Sequence, residues 1–366
     1  MTYFASCFLV GLLATLVVMR SSMRHGHLSA DNDLGGPQKF HARPVPRVGG
    51  AGVMVAIVAG VALAQLSDSP EARSLWLLIA CSLPAFVAGI TEDLTKNVSP
   101  RRRLVATAVS AGLAIWLLQA VIVRTHVPGV DTLIEWMPAA MLLTVFVITG
   151  VANAINIIDG FNGLASMCVL MMVLALGYVA FQVGDSFIFT AALITSGAVL
   201  GFFVWNFPAG LIFLGDGGAY LLGFLLGELS LLLVHRNPSV SPMFPLLLCA
   251  YPIFETIFTI YRRKVVRGVA TAEPDGIHLH TLIHRRLIRW TLAGNQERRR
   301  LTRRNSMTSP YLWLLCLSSV VPSLLWWNST AVLSWFLLLF VVLYVWLYAR
   351  IVRFKTPRWL IFRRHH

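Results

Sequence analysis

Residues 138–164 read PAAMLLTVFVITGVANAINIIDGFNGL, an apolar run that ends in asparagines, an aspartate and glycines. A helix needs about 20 apolar residues to cross the hydrocarbon core of a bilayer, and 138–156 supplies them. At its end, Asn153, Asn156 and Asp159 recur at a spacing of three, which on a helix makes one polar stripe turned away from lipid. Similar runs lie near 3–19, 49–66, 75–91, 104–123, 164–181, 188–205, 218–235, 242–261, 311–327 and 331–349. Together they predict an all-α fold, a polytopic integral membrane helical bundle of about eleven transmembrane helices. A composition of 57% hydrophobic and 13% charged residues agrees with that class. The longest stretch outside the runs, 262–309, is too short and too basic to build a core of its own. We therefore expect a single membrane-embedded domain over 1–366, with 262–309 as a histidine-containing cytoplasmic loop within it.

The first apolar run has no basic segment before it and is followed by Arg20, the pattern of a retained anchor with the N-terminus outside. Threading the chain from there puts 27 of the 30 Lys and Arg residues on one side, leaving Arg73, Arg124 and Arg236 on the other. Such asymmetry marks the cytoplasmic face, and it places the C-terminus there too. It also accounts for the formal charge of +14. No motif for reading a nucleic-acid groove accompanies the basic residues, so nucleic acid is not expected as a partner. All five cysteines fall inside apolar runs without a CxxC pair, which argues for buried packing residues and against a disulfide framework.

The expected outside connections are brief, whereas the inside ones are rich in acids, glycines and histidines. Glu92, Asp93, Asp159 and Asp216 all stand where a run meets the inner boundary. A carboxylate at such a depth is costly and usually has a partner or a task. Converging oxygen donors suit a hard cation such as Mg2+, shared between one or two carboxylates and substrate phosphates, better than they suit zinc or copper. In LGDGGAY, glycines surround Asp216 just before a run begins, so backbone N–H groups at that helix start can face an anion. For Asn153, hydrogen bonding between helices is the alternative reading. The segment HLHTLIH contains His278, His280 and His284. Only His280 and His284 would share a helix face, so with Asp275 before them and Arg285, Arg286 and Arg289 after, an anion-binding or proton-handling loop fits better than a zinc site. Lys39 and His41 join Arg43 and Arg47 in a basic loop stiffened by prolines.

In this order and spacing the motifs resemble those of the polyprenyl-phosphate N-acetylhexosamine-1-phosphate transferases (glycosyltransferase family 4), which include undecaprenyl-phosphate N-acetylglucosamine-1-phosphate transferases. The resemblance extends from about residue 30 to about 290. It covers Lys39, His41, Pro44, Pro46, Gly49 and Gly50; the acid pair Glu92 and Asp93; Asn153, Asn156, Asp159, Gly160, Asn162, Gly163 and Leu164; Asn206, Pro208, Ala209, Phe213, Gly215 and Asp216; and Pro274, Asp275, His278 and His280. Three positions depart from the family pattern: Glu92 replaces an aspartate, Asn162 replaces a second aspartate and Thr281 replaces the last histidine. The absence of three consecutive histidines argues against the muramoyl-pentapeptide branch.

The resemblance implies transfer of an N-acetylhexosamine 1-phosphate from a UDP-sugar to undecaprenyl phosphate at the inner face of a bacterial cytoplasmic membrane. It implies Mg2+ as cofactor, with Mn2+ as a substitute, and it leaves room for a homodimer. Asp216 and Asp159 would bind the metal, and Glu92 with Asp93 would deprotonate or orient the lipid phosphate. Lys39, His41, Asn153, Asn156, Asn162, Asn206, His278 and His280 would contact substrate. The product would begin an envelope glycan such as O-antigen. An ion-coupled transporter is the rival class, with sites expected near mid-membrane; Glu228 and Glu255 lie deep enough for that, but the other acids gather at one face.

Overall fold

The computed structural model describes residues 1–24, 45–266, 278–286 and 297–353. Its helices in chain order are α1 (Thr2–Arg24), α2 (Gly49–Leu66), α3 (Ala72–Thr95), α4 (Pro100–Leu118), α5 (Val130–Ile134), α6 (Met137–Ile158), α7 (Leu164–Val183), α8 (Ser186–Asn206), α9 (Gly215–Arg236), α10 (Met243–Leu248), α11 (Ala250–Tyr261), α12 (Leu279–Arg286), α13 (Glu297–Leu325) and α14 (Thr330–Val352). Apart from a single bridge at Pro46, all regular structure among the described residues is helical. In a bilayer this is the expected outcome, because a helix satisfies its backbone polar groups within one segment.

Nine helices among the described residues are long and apolar enough to span a membrane. The other two expected spans differ in form. The run at 104–123 is α4, which starts early because Ser99 caps it, accepting from the Arg102 N–H at 3.4 Å, with Pro100 in its first turn. It stops at Gln119, whose φ is 54°. The run at 242–261 breaks at Cys249 into α10 and α11, where Pro252 lacks the N–H that a continuous helix would use. A third difference concerns α13, which begins at Glu297, well before its apolar run at 311. Asn305, Ser306, Thr308 and Ser309, assigned by sequence to a loop, are buried on that helix.

Helix α9 is the axis of the bundle. Every residue from Gly215 to Val234 is buried, enclosed by α2, α3, α4, α6 and α7. Helices α1 and α8 pack together on one flank, and α14 closes another against α10, α12 and α13. Side chains such as Leu9, Leu13 and Val17 on α1 and Trp335, Leu338 and Val342 on α14 are exposed. That apolar perimeter belongs against lipid, since it would be an aggregation surface in water.

Candidate active site

The chemistry-bearing residues gather around the N-terminus of α9, and close backbone packing puts them there. A Cβ on Gly89 of α3 would lie 2.6 Å from the Asp216 carbonyl carbon, and one on Gly50 of α2 would lie 2.2 Å from the Gly218 nitrogen. Only glycine permits both approaches. On the α2 side, the N–H groups of Gly49 and Gly50 donate to the carbonyls of Phe213 and Leu214 at 2.9 and 2.8 Å. On the α3 side, the fully buried Asp93 carboxylate accepts from the backbone N–H groups of Asp216 and Gly217 at 2.9 and 2.8 Å. A helix start offers unsatisfied donors and partial positive charge, so Asp93 caps α9. Its neighbour Glu92 faces the other way and accepts from the Val98 N–H at 2.7 Å, closing the turn into α4.

Asp216, 7% exposed, is ringed by donors. Asn156 Nδ2 donates to its Oδ1 at 2.9 Å, Arg47 lies 3.5 Å from the same oxygen, and Arg103 forms an ion pair with Oδ2. The Arg103 guanidinium also sits 5.8 Å over the Tyr220 ring, and the Tyr220 hydroxyl donates to Asn153 Oδ1 at 3.3 Å. The polar stripe of α6 therefore faces α9. Asp159, at the C-terminal end of that stripe, has its carboxyl pushed up to about 7 by burial, against the opposing pull of Arg47 and the Gly215 N–H.

Two asparagines expected to meet substrate, Asn162 and Asn206, bond to the scaffold. Asn162 Nδ2 donates to the Pro208 carbonyl at 3.3 Å and to Ser306 Oγ at 3.1 Å, and its backbone pairs with Asn305 and Ser309 of α13. Asn206 Oδ1 accepts from the Gly163 N–H and Ser166, while its Nδ2 donates to the Ile212 carbonyl at 2.8 Å. It thus links the α6–α7 turn to the segment entering α9. His278 and His280 lie buried with ring centroids 5.0 Å apart and nearly parallel. His280 Nε2 is set against Gly160, 3.3 Å from where a Cβ would be, which brings the histidines over the Asp159 turn. Burial, with the neighbouring His278, lowers the His280 imidazole to about 3, leaving it neutral near pH 7. Lys39, His41, Pro274 and Asp275 lie outside the described residues.

A match to the family model described as Glycosyl transferase family 4 covers residues 75–234, from α3 through most of α9. A Bacillus subtilis (strain 168) protein described as a probable undecaprenyl-phosphate N-acetylglucosaminyl 1-phosphate transferase is 30% identical over 278 residues, covering 75% of each chain. The chain belongs to glycosyltransferase family 4. Similar relatives in it include a Thermotoga maritima undecaprenyl-phosphate alpha-N-acetylglucosaminyl 1-phosphate transferase, 29% identical across 69% of this chain and 72% of its own. A Mycolicibacterium smegmatis decaprenyl-phosphate N-acetylglucosaminephosphotransferase is 28% identical across 84% and 79%. A muramoyl-pentapeptide transferase of Streptococcus thermophilus is 32% identical but over only 39% of this chain.

For a family 4 chain the donor set around α9 suits a hard cation. No group of three or more His, Cys, Asp or Glu side chains forms a cage among the described residues. The acids of this region that could share such an ion are Asp216 and Asp159, and the cations facing Asp216 are guanidinium groups. Sequence reasoning missed Arg103. The run RRR at 101–103 enters only the count of basic residues on the inner side, and only the register of α4 shows that the third arginine turns inward. A separate cavity of about 280 Å³ near the far end of α9, lined by residues such as Val121, Val147 and Val234, contains none of these acids.

Proposed function

We propose that this chain transfers an N-acetylhexosamine 1-phosphate from a UDP-sugar to undecaprenyl phosphate, releasing UMP, at the cytoplasmic face of a bacterial inner membrane. The observation that carries the reading is Asp216 at the buried start of α9, ringed by Arg47, Arg103 and Asn156. Acid, guanidinium and amide at one point suit a diphosphate with its counter-ion. The inner boundary is also where a cytosolic nucleotide and a bilayer-borne phosphate can both arrive.

An oxygen of the lipid phosphate would attack the β-phosphorus of the donor, forming one P–O bond as the bond to UMP breaks. Positioning and charge stabilisation dominate such a transfer. Arg47 and Arg103 put two guanidinium groups beside the phosphates, where planar donors match phosphate oxygens. Asp93 holds the start of α9 so that Asp216 stays in register, which supports a positioning role for it. Asp216 and Asp159, with Asn156 beside them, would hold Mg2+ or Mn2+. When bound, the ion would neutralise pyrophosphate charge. His278 and His280 over the Asp159 turn, together with Lys39 and His41, would complete the phosphate and sugar contacts. The lipid-linked product would start an envelope glycan of the O-antigen type.

The test incubates purified protein with undecaprenyl phosphate, Mg2+ and a panel of UDP-N-acetylhexosamines, scoring UMP with and without EDTA. Lipid-dependent, EDTA-sensitive UMP release from one donor is the expected result. Release without lipid acceptor, or none from any donor by folded protein, overturns the proposal.

A further inference from the structure

The reaction as proposed makes no use of Glu255. This side chain is buried on α11, and it gathers three donors from two segments of the chain. His278 Nδ1 lies 3.1 Å from its Oε1, the Leu279 N–H donates to the same oxygen at 3.2 Å, and the Tyr344 hydroxyl of α14 donates to Oε2 at 2.5 Å. The Tyr344 ring is itself packed by Phe254 and Phe258, with centroids 4.9 and 5.5 Å away, which holds the ring in place. Thr259, one turn along α11, sets its hydroxyl 3.2 Å from His278 Nδ1.

A buried carboxylate is an expensive way to join helices. Apolar side chains of similar volume often do that as well or better. What apolar packing cannot do is choose the tautomer and ring direction of a histidine. With His278 Nδ1–H directed at Glu255, the nitrogen left for another partner is Nε2. From His278 the contacts continue to the stacked ring of His280, whose Nε2 is set against Gly160 beside Asp159. Phe161 backs His280 edge-on at 5.4 Å. A continuous line of packed groups therefore leads from α14 to the acid turn of the site.

We propose that Glu255 and Tyr344 form a clamp that positions His278 for the transfer, making α11 and α14, both outside the matched 75–234 region, part of the working site. The proposal rests on the transferase reading for its kinetic consequence. It does not rest on that reading for the geometry.

The test uses the full chain and two conservative variants, Glu255→Gln and Tyr344→Phe, both of which keep the shape of the site. In Glu255→Gln, kcat should fall roughly 10- to 100-fold, the usual effect of removing a carboxylate that orients a functional histidine, while KM for donor and lipid acceptor shifts by less than about threefold. Tyr344→Phe, which deletes one hydrogen bond, should lower kcat about 3- to 10-fold. In parallel, 15N NMR of histidine-labelled protein, with the His278 signal assigned by its loss in His278→Gln, should show an Nδ1–H resonance that moves in Glu255→Gln. An unchanged His278 resonance, or wild-type kcat in folded Glu255→Gln, overturns the clamp. If the wild type releases no UMP from any donor, the transferase reading has failed, and the His278 resonance still decides the clamp.

Discussion

Asp93 and Asp216 are both boundary acids, yet their oxygens face different partners. Asp93 spends its carboxylate on two backbone N–H groups, so Asp93→Asn should cost about 1–3 kcal/mol of stability, the range for leaving a buried donor poorly met, and should lose activity with it. Asp216→Asn should lower turnover at least about 100-fold, the scale of losing one preorganised electrostatic group, while folded yield is preserved. UMP release and thermal midpoints in detergent separate the two outcomes. Asp159 gives a pH signature. Its carboxyl lies near 7 when folded, above the ordinary carboxylate value, so the native state holds a proton that the unfolded chain has released. This contribution to stability is complete below about pH 4 and vanishes as pH rises through 7. In metal-free protein, wild type should therefore lose stability relative to Asp159→Asn between pH 4 and 7, and a pH-independent difference would count against the burial described. Asn162, where the family pattern has aspartate, donates to a carbonyl. A carboxylate would face that carbonyl with no proton to offer, so Asn162→Asp should destabilise by about 1–3 kcal/mol, readable as a lower thermal midpoint.

At the scale of elements, most of the helices were readable because each span is a single apolar run with polar ends, and the bilayer leaves helix as the only economical solution for it. The acids of the site were legible for a related reason, since Asp159 and Asp216 stand where polarity should not be. What escaped were features set by tertiary register. Arg103 is chemically identical to Arg101 and Arg102 beside it, and only the phase of α4 distinguishes them. The early start of α13 was hidden because ERRRLTRRN reads as a cytoplasmic basic run, while the burial of Asn305 and Ser306 follows from their bonds to Asn162 on another helix. The same logic gives a test of packing. Gly89→Ala would set a Cβ 2.6 Å from backbone that cannot yield locally, so α9 must shift. The expected result is a loss of about 1–3 kcal/mol through overpacking and a larger loss of UMP release than Gly112→Ala, where an added Cβ meets nothing within 4 Å.

Across the whole molecule, an apolar perimeter surrounds a core in which α9 is buried from Gly215 to Val234. The charge asymmetry expects the N-terminus and the α2–α3 turn outside and the α3–α4 turn inside. All five cysteines are buried, so native protein should be silent to an impermeant maleimide. Against that background, Ser67→Cys should label in intact cells, and Asn97→Cys should label only after permeabilisation. The reverse pattern would invert the assigned orientation. The ring about Asp216 also bears on inhibition. Two guanidinium groups already neutralise its carboxylate, a closed electrostatic circuit that, on the transferase reading proposed above, an uncharged mimic of a diphosphate would open without offering anything in exchange. An anionic head group would replace the carboxylate it displaces, so on that reading inhibitor selectivity should track formal charge more closely than shape.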